Sequence, residues 1–151
     1  MFAYFQRIRE ILSQVEELEA TSLAQAVEIL SDAIKKKQAI FIFGASHAGI
    51  LAEEMFYRAG GLVSINPIFG RELMLDTRPI SATSQMERLV GYGQLLAKKT
   101  PFKVGDVLIV HSVSGRNPVV VDLALAAKEK GVYVIALTNL TYSRATKSRH
   151  P

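Results

Sequence analysis

Apolar residues recur at helical spacing over positions 2–19, where Phe5, Ile8, Ile11, Leu12, Val15 and Leu18 stand among Arg7, Arg9, Glu16, Glu17 and Glu19. That period predicts an amphipathic helix. A second helix is expected from Ser22, which with Gln25 makes a capping box, and Leu23, Val27, Leu30 and Ile34 form its apolar stripe. It closes at Lys35, Lys36 and Lys37, cations suited to the negative end of a helix dipole and expected to be solvated. The pattern then changes from a period to a block. Residues 39–43 (Ala-Ile-Phe-Ile-Phe) are continuously apolar and β-rich, as a parallel strand covered on both faces would be. A helix over 50–59 and a second strand over 62–65 follow, divided by Gly60 and Gly61. Residues 67–83 carry little pattern and are expected to loop over the sheet edge.

Ser84 and Glu87 repeat the capping box ahead of a helix predicted to run to about Lys99. Residues 107–111 are a third buried strand, Pro118 suits the first turn of a helix that ends at Gly131, and residues 132–137 are a fourth strand. Residues 138–151 are polar and too short for another helix and strand. Strands alternating with helices predict an α/β fold, a doubly wound parallel sheet with helices on both faces and right-handed crossovers. In the expected order 2-1-3-4 the direction of winding reverses between strands 39–43 and 107–111, and such sheets bind ligands just beyond the strand ends at that point. The loops there, 44–49 and 112–117, are the stretches richest in glycine, serine and other short polar residues. The order also leaves strand 132–137 at an edge, which a partner subunit or a further strand beyond Pro151 is expected to cover.

Composition narrows the function more than the fold. A length of 151 residues fits one domain, and 49% apolar with 21% charged residues is ordinary for a globular chain. The expected division is an N-terminal helical segment (1–38) packing on the domain, a binding domain (39–140) and a basic tail (141–151). No run approaches the roughly 18 apolar residues of a membrane span, and the N-terminus lacks a basic leader followed by an apolar stretch, so a cytoplasmic protein is expected. The absence of cysteine excludes disulfides, zinc–cysteine sites, iron–sulfur clusters and thiol nucleophiles, and the three histidines are too dispersed for a metal motif. The net charge of +4 is mostly local: Arg144, Lys147 and Arg149 carry no nearby acid, leaving 15 cations against 14 anions in residues 1–141. A near-neutral body argues against nucleic acid as a partner.

The 112–117 loop brings the Ser112 and Ser114 hydroxyls, the Asn117 carboxamide and unpaired backbone N–H groups to the start of a helix, with Gly115 allowing the turn. That is the chemistry of an anion site. Arg116 either adds a charge-assisted contact or is solvated. The 44–49 loop has Ser46 where a dinucleotide fingerprint needs its second glycine, and no loop has the lysine of a P-loop, so neither nicotinamide nor a hydrolysed nucleotide is expected as cofactor or substrate. His47 at the mouth of the site is able to protonate a sugar oxygen or to bond the loop backbone. Glu54 either faces the cleft or forms an exposed pair with Arg58 four residues on. His111, ending a buried strand, reads as structural.

Phe43-Gly44-Ala45-Ser46-His47, the run 52–61 (Ala-Glu-Glu-Met-Phe-Tyr-Arg-Ala-Gly-Gly) and, above all, Ser112-Val113-Ser114-Gly115-Arg116-Asn117 resemble the sugar isomerase (SIS) domain family of phosphosugar-binding proteins. The resemblance covers residues 22–140 and is nearest to a bacterial branch labelled phosphoheptose isomerase. It implies a flavodoxin-like five-stranded sheet, whose fifth strand is not found here, and a homodimer or homotetramer with sites near subunit interfaces; no metal or other cofactor is expected. It also implies a sugar phosphate held by Gly44, Ser46, Ser112, Ser114, Gly115, Arg116 and Asn117. By the same resemblance Glu54 falls where phosphoheptose isomerases carry a catalytic glutamate, which moves a proton through an enediol; His47, from its place at the mouth of the site, is the other catalytic candidate. Ala48 stands where the family usually offers a serine. The expected function is aldose–ketose phosphosugar isomerisation; the alternative is a non-catalytic sugar-phosphate sensor.

Overall fold

The computed structural model describes residues 2–151. Four parallel strands, β1 (Ile40–Gly44), β2 (Ile65–Pro67), β3 (Val107–His111) and β4 (Tyr133–Leu137), form one sheet in the order β2-β1-β3-β4. The doubly wound arrangement read from the apolar blocks is therefore the one observed. Around the sheet lie α1 (Ala3–Leu18), α2 (Ala20–Lys35), α3 (Ile50–Met55), α4 (Ser81–Met86), α5 (Tyr92–Lys99), α6 (Pro118–Glu129) and α7 (Leu140–Ala145).

The central strands are apolar without alternation because both of their faces are buried. Successive side chains of a strand point to opposite faces. Phe41 and Phe43 of β1 and Leu108 and Val110 of β3 join Leu96, Ala97, Val119, Leu123 and Ala127 of α5 and α6 on one side. Ile40, Ile42, Val107 and Ile109 meet Ala33 of α2 and Ala52 of α3 on the other. Burying a side chain of this size stabilises by about 1.5–3 kcal/mol, so the β1–β3 pair carries the core. At their lower ends Asp106, 3% exposed, accepts hydrogen bonds from the backbone N–H groups of Ala39 (2.9 Å) and Lys103 (2.8 Å), tying the starts of the two strands together.

Several boundaries differ from the expectations, each for a tertiary reason. The second strand is residues 65–67 rather than 62–65: Ile65 pairs with Ile40 and Pro67 with Ile42, while Val63 is 99% exposed. Pro67 is tolerated because β2 is an edge strand. The helix after β1 ends at Met55, not Ala59; Phe56 turns extended and its ring meets Phe69 edge-on at 6.0 Å. The single helix expected from Ser84 to Lys99 is two. Gly91 adopts φ 85° and its N–H donates to the buried Asp122 carboxylate at 2.6 Å, so a bond to α6 takes the group that would have continued the helix.

Neither expected capping box forms. Helix α2 starts at Ala20 with Ser22 inside its first turn, and α4 starts at Ser81, which puts Ser84 within the helix and Glu87 just past its end. Residues 67–83, expected as loop, hold a 3-10 turn at Arg71–Leu73 and the start of α4. Residues 138–151 hold α7, capped by Asn139 Oδ1, which accepts from the Tyr142 N–H at 2.8 Å. In the N-terminal segment α2 buries Ala33 against the sheet, whereas α1 buries no residue and leaves Leu18 75% exposed. Among the described residues no helix is long and apolar enough to cross a membrane.

Candidate functional site

Strands β1 and β3 end level with one another, Gly44 opposite His111, and the connections leave them in opposite directions, one to β2 and the other to β4. The loops that follow must therefore part, and a cleft of about 200 Å³ opens between them. A concave opening at this switch point is where an open α/β sheet accommodates a ligand.

The first loop is a tight 3-10 turn, Ser46–Gly49, that folds back over the strand end. It has room to do so only because residue 44 is glycine: a Cβ there would lie 2.2 Å from the Ala48 carbonyl oxygen. That carbonyl accepts a hydrogen bond from His111 Nδ1 at 3.0 Å, which fixes the proton on Nδ1 and leaves Nε2 of the same ring free of it in the neutral form. His111 is thus the tie between the two loops, in keeping with the structural role expected of it. Ser46, His47 and Ala48 all line the cleft, with His47 exposed at its edge.

The second loop is braced from β4. Ser112 N–H donates to the Leu137 carbonyl at 3.0 Å, and the Val113 carbonyl accepts from Asn139 N–H (3.0 Å) and from the Thr138 hydroxyl (3.1 Å). Gly115, at φ 60°, turns the chain so that its N–H bonds the Ser112 hydroxyl oxygen at 3.1 Å. Ser114 lines the cleft, and its hydroxyl makes no hydrogen bond among the described residues. Asn117 caps the start of α6 by position only; its side chain makes no capping bond, and its Oδ1 instead accepts from Arg149 Nη1 at 2.8 Å. Hydroxyls, a carboxamide and a helix N-terminus thus converge in this loop, groups of the kind that bind anions in proteins.

Of the residues singled out in the sequence, Ser46, His47, Ser112, Ser114 and Asn117 come together as lining of this cleft. Gly44 and Gly115 shape its two loops. Arg116 lies in the second loop, but its side chain is not part of the lining; its Nε is buried without a partner, and its carbonyl accepts from Arg149 N–H at 2.9 Å. Glu54 sits on the outer side of α3, 62% exposed in its side chain and ion-paired with Arg58, outside the cleft lining.

Two contributors were not legible in the sequence. Glu87, just past α4, is a half-buried wall of the same cleft. Burial pushes its carboxyl above the usual range, and the Asn117 carboxamide, Arg88 and Arg149 offset this only in part. The basic tail docks through Arg149 on the start of α6, and His150 Nε2 lies 3.0 Å from Asp122. The only local signal at Glu87 is the spacing of a helix cap, and none marks Arg149, since both come to this region from distant parts of the chain. Among the described residues no three His, Cys, Asp or Glu side chains gather as a metal site.

The family model for the SIS domain matches residues 3–139. A UPF0309 protein of Shouchella clausii is 52% identical over 147 residues, 97% of this chain and 60% of the relative, and one of Oceanobacillus iheyensis is 50% identical over 150 residues, 99% of this chain and 61% of the relative. The chain thus spans about three-fifths of the length of these curated relatives. Among solved structures, phosphoheptose isomerase GmhA from Neisseria gonorrhoeae superposes with TM-score 0.64 at 22% identity, over 98% of this chain and 79% of the other. A phosphoheptose isomerase from Francisella tularensis superposes with TM-score 0.56 at 15% identity, over 99% and 84%. At these identities the likeness is one of fold.

Proposed function

Because this chain belongs to the SIS domain family, we propose that it binds a sugar phosphate in the cleft between β1 and β3, as the binding part of an aldose–ketose phosphosugar isomerase. The observation that carries the reading is the 112–117 loop, which opens with two serine hydroxyls onto the N-terminus of α6 at the switch point of the sheet. A phosphate monoester there meets donors without meeting a fixed carboxylate of the loop itself. Ser112, Ser114 and Asn117 hold the phosphate, and Ser46 and His47 contact the sugar. Isomerisation moves a proton between C1 and C2 through an enediol, which needs an acid–base pair.

Glu54, from the family resemblance, and His47, from its place at the mouth of the cleft, are the candidates for that pair. Since Glu54 is committed to Arg58 on the outer face of α3, its part in this reading is played across a subunit interface, in a cytoplasmic homodimer or homotetramer whose site lies near that interface. The second reading, a sugar-phosphate sensor without turnover, draws support from the same exposed ion pair.

A thermal-shift panel tests the binding. It sets fructose 6-phosphate, ribose 5-phosphate and sedoheptulose 7-phosphate against the unphosphorylated sugars and inorganic phosphate. A ligand that binds only the folded chain raises the melting temperature by mass action. Shifts confined to sugar phosphates support the reading, and a cooperative melt that no phosphate moves refutes it. Turnover of a bound sugar phosphate, lost in Glu54→Ala with binding intact, separates the isomerase from the sensor.

A further inference from the structure

The cleft contains one carboxyl group, and it is not the one that the family resemblance points to. Glu87 follows the last turn of α4, and its backbone is pinned to the neighbouring helix: its carbonyl accepts from the Val119 N–H at 3.3 Å. Its side chain forms part of the same lining as Ser112, Ser114 and Asn117. The charged and titratable groups around it are Arg88 beside it in the chain, Arg149 from the tail, and His47 and His111 from the two loops. Asn117, whose oxygen is taken by Arg149, turns its amide toward the carboxyl.

We infer that Glu87 is the proton-exchanging group of this cleft, taking up a proton when a phosphate monoester dianion settles on the 112–117 loop. The inference rests on the phosphosugar reading above. Its physical basis is that a half-buried carboxylate is poorly solvated before the ligand arrives, and that a second, doubly negative group in the same cleft disfavours the charged form further. Arg88 and Arg149 favour the ionised form in the empty cleft. The arriving dianion competes for that positive field and tips the balance. Its carboxylic acid form is then a donor able to bond a sugar oxygen beside the phosphate, a role an ionised carboxylate cannot fill.

Calorimetry of the sugar phosphate panel in two buffers of different ionisation enthalpy tests this, run between pH 7 and 8.5 where the ligand is a dianion. Wild-type protein is expected to take up as much as one proton per ligand, with Kd weakening by up to about tenfold per pH unit. Glu87→Gln is expected to bind without uptake, with a Kd that no longer depends on pH and is tighter than wild type at the upper end. An infrared difference spectrum of the wild type on ligand binding, which needs no variant, should show a new carboxylic acid band. Uptake that persists in Glu87→Gln, or that comes without the carboxylic band, assigns the proton to His47 or His111 and overturns the inference. Binding with no uptake overturns it as well while leaving the phosphosugar reading intact. If no sugar phosphate binds at all, both fail.

Discussion

Ser112 and Ser114 are chemically alike and two residues apart, yet the structure gives them different work, so replacing each by alanine separates ligand binding from loop integrity. The Ser112 hydroxyl oxygen already accepts the Gly115 N–H at 3.1 Å, whereas the Ser114 hydroxyl has no partner among the described residues and faces the cleft. Removing Ser114 Oγ leaves nothing unpaired in the free protein, so Ser114→Ala should change stability by less than about 0.5 kcal/mol. What it loses is a hydrogen bond to a charged phosphate, about 1.5–3 kcal/mol, or roughly ten- to hundredfold in Kd. Ser112→Ala loses the same kind of ligand contact and, in addition, the bond that holds Gly115 in its turn. That bond is worth about 1 kcal/mol, which lowers Tm by roughly 2–4 °C in a chain of this size. Titration calorimetry with the tightest-binding sugar phosphate gives Kd, and a calorimetric scan without ligand gives Tm. An unchanged Kd in Ser114→Ala, or a fall in Tm equal to that of Ser112→Ala, would refute the division of labour.

Two further outcomes follow from groups outside the cleft. Asp106→Ala leaves the Ala39 and Lys103 N–H groups unpaired at the base of the core strands, which should cost about 2–5 kcal/mol in urea unfolding, while Asp106→Asn retains one acceptor and loses less; equal losses would rule out this accounting. Tyr92 donates to Glu72 at 2.7 Å, and burial together with that carboxylate pushes its phenol from 10.0 up to about 12. The folded pKa lies above the unfolded one, so the associated stability is fully present below pH 10 and drains away as pH rises toward 12. An ultraviolet titration should show one of the five tyrosines ionising late, and Tyr92→Phe should remove that late step.

The elements that could be read from the chain alone are those whose signal is local. Residues 40–43 and 107–110 are uninterrupted apolar blocks because they are buried on both faces, and no neighbour is needed to recognise that. The 112–117 loop is equally legible, since the glycine, the hydroxyls and Pro118 state a turn into a helix. Strand order follows from the alternation of elements and the handedness of their crossovers. The Glu54–Arg58 pair, too, was one of the two roles that four-residue spacing allows.

Decisions made by distant contacts were not legible. Which three residues after Gly61 form β2 depends on where Ile40 and Ile42 stand. The break at Gly91 depends on the Asp122 carboxylate, thirty-one residues away. Glu87 has the spacing of a cap and ends instead as a cleft wall, because α4 starts at Ser81 and stops one residue before it. Arg149 docks only because Asn117 and Arg116 present oxygens at the start of α6. Sequence alone thus determined the two central strands, the winding and the glycine- and serine-rich loop that opens α6, each encoded in consecutive residues by burial and turn chemistry. Tertiary structure decided the charge environment of the cleft, because a carboxyl's solvation and neighbours exist only once remote segments have packed around it.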